Sequence, residues 1–231
     1  MKLLFAFVSL VLASQLGRAG TITGTVRAEP KPGAEQGSGG ANNNYASSKF
    51  KFVPRVDYAA MHDFVVFIEG QVGTNTAATN VVQITTAKVA QRAATFSPHL
   101  LPVMVGTIVE WPNNDDIYHN VFSISDAKSF DLGLYKGNPK EKAQTFDHRG
   151  KVDVYCSIHA NMHCIVLVLP NPYFAATDGD GHFTITNVPP GEYQLKAWHD
   201  RLPADSREIK VPETGGTNVD FILTVKNLPQ F

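Results

Sequence analysis

The residues of this chain best suited to chemistry lie between Tyr155 and Cys164, in the run YCSIHANMHC. Within it Cys156, His159 and Met162 recur at three-residue intervals. A thiolate, an imidazole and a thioether make a soft, mixed donor set that suits copper rather than calcium or magnesium. Zinc would accept Cys and His but has little use for a thioether. Three donors on one loop need a fourth from elsewhere, and the candidate is His119, in WPNNDDIYHNVFS at residues 111–123. Two imidazoles and a thiolate in a plane, with a weak axial thioether, form a blue (type 1) copper site holding one ion. His163 follows Met162 directly and competes with it for the axial position.

The chain has only two cysteines. A Cys156–Cys164 disulfide is therefore the competing reading in an oxidising compartment, and eight residues across a loop is a permissible spacing for one. On the copper reading Cys164 is instead a buried free thiol entering the next strand. His62, His99, His148, His182 and His199 have no partners at ligand spacing and read as surface or hydrogen-bonded side chains, with His99 the one to check. The turn Thr177–Gly181 (TDGDG) resembles the start of a calcium loop, but position twelve counted from Asp178 is Pro189 rather than Glu. Asp-Gly is better explained as a tight hairpin turn.

The donors need rigid elements to hold them. The loop lies between two strand signals, KVDVY (151–155) and IVLVL (165–169), and His119 immediately precedes a third, NVFSI (120–124). Further strand signals are Thr21–Arg27, Asp63–Glu69, Met104–Trp111, His182–Thr186, Glu192–Trp198, Arg207–Val211 and Asn218–Val225. All are short, rich in Val, Ile, Phe and Tyr, and bounded by turn formers. Helical periodicity is not sustained anywhere; Val81–Ala94 has room for one helical turn at most. The fold class is all-β, as sandwiches or barrels. Pro30–Ser48 is a low-complexity loop too polar to order itself, and no internal repeat is visible.

HNVFS followed by Cys-x2-His-x2-Met, with Cys156 placed 37 residues after His119, resembles the plastocyanin and azurin (cupredoxin) family. The resemblance covers roughly Val81 to Pro170 and implies a Greek-key sandwich in which His119, Cys156, His159 and Met162 ligate one copper. It also implies that Asn120 braces the ligand loop through Ser157. Plastocyanins usually space the loop His and Met further apart than the two residues that intervene here.

A second resemblance lies downstream. The pattern TDGDGHFTITNVPPGEYQL (177–195) looks like carboxypeptidase regulatory-like domains, which are small transthyretin-like sandwiches. Their opening strands resemble TITGTV (21–26) and DFVVFIEG (63–70), and both lie before the copper segment. The implied organisation is residues 1–19 as signal peptide, 20–80 as the first strands and loop of the small sandwich, 81–170 as the copper domain, and 171–231 as the rest of the small sandwich, which the copper domain splits by insertion. No nucleophile–base pair stands out in this second module.

Lys2, the apolar run Leu3–Ala13 and Gly17-Arg18-Ala19 have the layout of a cleaved secretory signal peptide. No other stretch approaches the ~20 apolar residues of a membrane helix, so a periplasmic or secreted protein without membrane insertion is expected. A formal net charge of −1 gives no field for nucleic acid. The expectation is a single-electron carrier between protein redox partners, not an enzyme. The alternatives are a copper carrier or sensor without turnover and a metal-free binding module.

Overall fold

The structure is a computed structural model that describes residues 19–30, 57–72, 85–139 and 142–224. The signal-peptide segment before Ala19, the polar loop after Pro30 and Val225 lie outside the described residues. The described chain is all-β. Its strands are β1 (Gly20–Glu29), β2 (Val65–Ile68), β3 (Thr86–Lys88), β4 (Ala90–Arg92), β5 (Thr95–Ser97) and β6 (Leu100–Met104). They continue with β7 (Thr107–Glu110), β8 (His119–Ser125), β9 (Lys128–Tyr135), β10 (Gln144–Phe146), β11 (Gly150–Tyr155) and β12 (His163–Leu169). The last are β13 (Phe174–Ala176), β14 (His182–Val188), β15 (Gly191–His199), β16 (Leu202–Val211), β17 (Gly216–Asn218) and β18 (Phe221–Thr224).

Two sandwiches result. In the first, β1 pairs with β14, β17 and β18, and this sheet faces the sheet β13-β2-β15-β16. Ile22 lies opposite Ile185 and Gly24 opposite Phe183, so segments from both ends of the chain share one core of Ile22, Val26, Phe183, Leu195, Phe221 and their neighbours. Gly24 is dictated by a close approach: a Cβ there would sit 1.9 Å from the Val219 carbonyl oxygen. That approach breaks NVDFILTV into β17 and β18, with Val219 N–H bonding Thr23 O and the Asp220 carboxylate accepting from Thr25 N–H at 2.8 Å.

The second sandwich uses the middle of the chain, with sheets β10-β7-β3 and β6-β12-β11-β8-β9 and the separate hairpin β4–β5. Its core holds Phe96, Val109, Trp111, Val121, Phe146, Val152, Val154, Met162 and Cys164. β12 is the hinge of the packing. Successive side chains of a strand point to opposite faces; Cys164, Val166 and Val168 face this core, while Ile165, Leu167 and Leu169 meet Val65, Leu100, Phe67, Phe174 and Trp198 in a seam between the sandwiches. Burial on both faces explains why IVLVL reads as an unbroken apolar run.

Several expectations change. MVGTIVEW is two strands, because Gly106 at φ +90° turns the chain between β6 and β7. The helical turn proposed within Val81–Ala94 is replaced, over its described part, by β3, β4 and a tight turn. β5, β10 and β13 are three-residue strands with no room for apolar alternation and were not expected, nor was β9, although its Phe130, Leu132 and Leu134 alternate with Ser129, Asp131 and Gly133. No helix of the described residues is long and apolar enough to cross a membrane.

Candidate metal centre

His119 is the first residue of β8, held opposite Tyr135 of β9. Cys156 follows the last residue of β11, whose Tyr155 lies opposite Phe122 of β8. The sheet therefore brings the end of one strand beside the start of another. The loop after Cys156 closes on itself: Cys156 N–H donates to Met162 O at 3.2 Å and Met162 N–H to His159 O at 3.0 Å. This tight turn folds His159 back over Cys156.

Three donors converge as a result. His119 Nδ1 and His159 Nδ1 lie 3.0 Å apart, and Cys156 Sγ lies 3.6 Å from His159 Nδ1. One ligand atom from each of these residues falls within 4.8 Å of the others. Asn120 N–H donates to Cys156 Sγ at 3.5 Å. His119 is fully buried, Cys156 is nearly so, and His159 is half-buried at the surface. Metal bonds of about 2.0–2.3 Å to nitrogen and sulfur in a trigonal plane would separate such donors by roughly 3.5–3.8 Å. The residues fit a soft transition metal with a slight opening of the two imidazoles. Met162 is buried in the core that includes Cys156, at the end of the same turn.

The far side of His119 is equally specified. Its Nε2 lies 2.7 Å from Asp115 Oδ2. Asp115 also accepts from Ala93 N–H at 2.7 Å and Ala94 N–H at 2.9 Å. The Ala94 N–H, then His119 and the Ala93 N–H, hold its carboxyl down at about 2. A carboxylate only accepts, so His119 donates from Nε2–H to Asp115, and its Nδ1 faces His159. Asn113 shapes the intervening loop: its Nδ2 donates to Ile117 O and Tyr135 O, and its Oδ1 accepts from Asp115 N–H. Beneath lies a buried network in which Tyr135 donates to Trp111 O at 2.6 Å and Gln91 Nε2 donates to Tyr135 Oη at 2.7 Å. Burial pushes the Tyr135 hydroxyl up to about 12, so it remains a donor.

His163 goes elsewhere. It is paired with Tyr155, bonds Asp153 at 3.0 Å and stacks on the Tyr155 ring, on the strand face opposite Val154 and Cys164. Cys156 and Cys164 are both free and buried, and burial pushes the Cys164 thiol far up. Asn120 does not bond Ser157. Its Nδ2 donates to Asp131 Oδ1 at 2.7 Å instead, across the irregularity that shifts the β8–β9 register between Asn120 and Phe122.

The remaining His residues lie away from the cluster. His99 and His62 flank Asp63 at 2.9 and 3.1 Å, and His199 accepts from Arg201 N–H. Asp178 caps its own turn through Asp180 N–H and His182 N–H. Asp115 and Asn113 were not singled out from the sequence. The signal was the i,i+4 spacing of Asp115 and His119, which has no meaning until the loop conformation is known.

Residues 171–219 match the family model described as polysaccharide lyase family 4, domain II, which is a different family from the carboxypeptidase regulatory-like domains that this region resembles in sequence. No curated protein matches the chain. Among solved structures, a Cu-containing nitrite reductase from Thermus scotoductus SA-01 aligns at 24% identity and a TM-score of 0.35, over 37% of this chain and 23% of that one. The chain thus spans about a quarter of the reductase's length. A purple cupredoxin from Nitrosopumilus maritimus aligns at 27% identity and a TM-score of 0.32, over 36% of this chain and 98% of that one. Amicyanin from Paracoccus versutus aligns at 18% identity and a TM-score of 0.31, over 45% and 96%. These are local likenesses to copper proteins, and the site stands on its own donor geometry.

Proposed function

We propose that the chain is an exported type 1 copper protein that carries single electrons between protein redox partners. The observation that carries this reading is the convergence of His119 Nδ1, His159 Nδ1 and Cys156 Sγ within a buried, strand-anchored cluster. Copper bound there would supply one-electron redox chemistry. Cys156, His119 and His159 would hold it, with the thiolate as the strong donor, and Met162 would add a weaker thioether. With His163 engaged by Asp153, Met162 is the remaining axial candidate on this loop.

His119 is braced by Asp115 and Cys156 by the Asn120 N–H, which favours little rearrangement on a change of charge. His159 is the donor nearest solvent and gives the shortest route out. Around it Ile117, Tyr118, Leu134 and Ile158 are roughly half exposed. They neighbour His119, Asn120 or His159 in sequence or strand register. This apolar rim suits transient docking of a partner protein, with Lys136 above the Tyr118 ring as an adjacent positive charge.

The domain boundaries 20–80, 81–170 and 171–231 belong to the same reading, with the split sandwich as a rigid support. Removal of residues 1–19 on export is part of it, and no substrate turnover is assigned. Cys156→Ser is expected to abolish the intense visible absorption of the copper-loaded protein. Retention of that band would reject the ligand set, and a bound copper that shows no reversible redox step would favour a metal carrier instead.

A further inference from the structure

We propose that Asp115 is a positioning residue for the metal, holding the His119 ring in one tautomer and tilting the site toward the cupric ion. This rests on the copper reading of His119, Cys156 and His159. The carboxylate makes three contacts: His119 Nε2 at 2.7 Å, Ala93 N–H at 2.7 Å and Ala94 N–H at 2.9 Å. The side chain is 14% exposed beside a His119 that is wholly buried. Its own backbone N–H is tied to Asn113 Oδ1. No rotation of Asp115 is possible without breaking this set, and no flip of the imidazole is possible without losing its acceptor.

The partner on the other side of the carboxylate is unusual. Ala93 and Ala94 form the two-residue turn of the β4–β5 hairpin with φ of +51° and +52°. Such a turn favours Asn-Gly, because residues with a Cβ rarely enter the left-handed region. Conformations of this kind persist where surrounding contacts over-determine them, and they gather at functional sites. Here the contact is Asp115, which receives both turn N–H groups. The hairpin is therefore more than a connection: it clamps the carboxylate that orients His119.

An anionic acceptor on Nε2–H makes the opposite nitrogen a better donor, as carboxylate partners of metal-bound imidazoles do. A better donor stabilises the more highly charged ion. Removing the negative charge should thus weaken cupric binding more than cuprous binding. A tenfold change in that ratio corresponds to 59 mV for a one-electron couple.

The test is a reduction potential on copper-loaded wild-type protein and Asp115→Asn, with thermal unfolding of each. The expected result is a rise of the potential in Asp115→Asn by an amount matching about a tenfold loss of cupric preference. Lower thermal stability with an unchanged potential would show that Asp115 only staples the hairpin and would overturn the proposal, leaving the copper reading intact. Absence of a thiolate-to-copper band in the wild type would overturn both. Should Asp115→Asn fail to fold, nitrogen-15 spectra of the cuprous wild-type protein decide the matter. A slowly exchanging His119 Nε2 proton supports the role, and rapid exchange of that proton overturns it.

Discussion

The two sandwiches bury different chemistry. Among the described residues, the middle one contains Gln91, Thr107, Asn113, His119, Asn120 and Ser123 as buried polar side chains, together with both cysteines and Met162. The other, assembled from the two ends of the chain, buries only Asn171 and His199 beside an apolar core. Burying a polar group costs free energy unless it is bonded. The middle sandwich accepts that cost around one end of β8, where the network fixes His119 and Cys156. The other spends its interior on cohesion and lends β2, β13 and β15 to the seam. Site precision and scaffold stability are thus divided between neighbouring cores.

This division can be broken at four points. The largest effect is expected from Cys156→Ser, which should remove the copper band entirely in an absorption titration while leaving the far-ultraviolet circular dichroism of both sandwiches unchanged. Phe221→Ala, in the apolar core, should lower unfolding free energy by about 3–5 kcal/mol in a denaturant titration, with the band of the folded fraction unaltered. Ile165→Ala empties part of the seam and should cost about 2–4 kcal/mol. Because its neighbours belong to both sandwiches, calorimetry should then separate their unfolding.

The smallest effect is an acid one. The Thr25 hydroxyl, followed by its N–H, holds the Asp220 carboxyl below its ordinary value of 3.8. A depressed carboxylate contributes stability above its unfolded pKa and loses it as pH falls through the folded one. Acid unfolding below about pH 4 should therefore be shallower in Asp220→Asn, seen as a smaller drop in melting temperature between pH 5 and pH 2.

Legibility in the sequence follows the same split. β12 was visible because both its faces are buried, and the donors because thiolate, imidazole and thioether recur in register on one loop. The β4–β5 hairpin was not visible. Its Ala93–Ala94 turn carries no turn signal, and its conformation depends on a carboxylate from another segment. β9 was missed although Phe130, Leu132 and Leu134 alternate with Ser129, Asp131 and Gly133, the pattern of a strand with one exposed face. The joints within MVGTIVEW and NVDFILTV fall at Gly106 and at Asp220, single residues that also fit within one strand read from sequence alone. A close approach to Gly24 and the positive φ of Gly106 are tertiary facts. The i,i+4 pair of Asp115 and His119 belongs to the same class, since only the folded loop gives the spacing its meaning.

The central claim is that Cys156, His119 and His159 hold one redox-active copper ion. The most direct measurement is the visible absorption spectrum of the purified protein on titration with cupric ion, recorded before and after reduction. The account predicts an intense thiolate-to-copper band that saturates at one equivalent, bleaches on reduction and returns on reoxidation. A colourless protein at saturation, with both thiols still titratable, would contradict it.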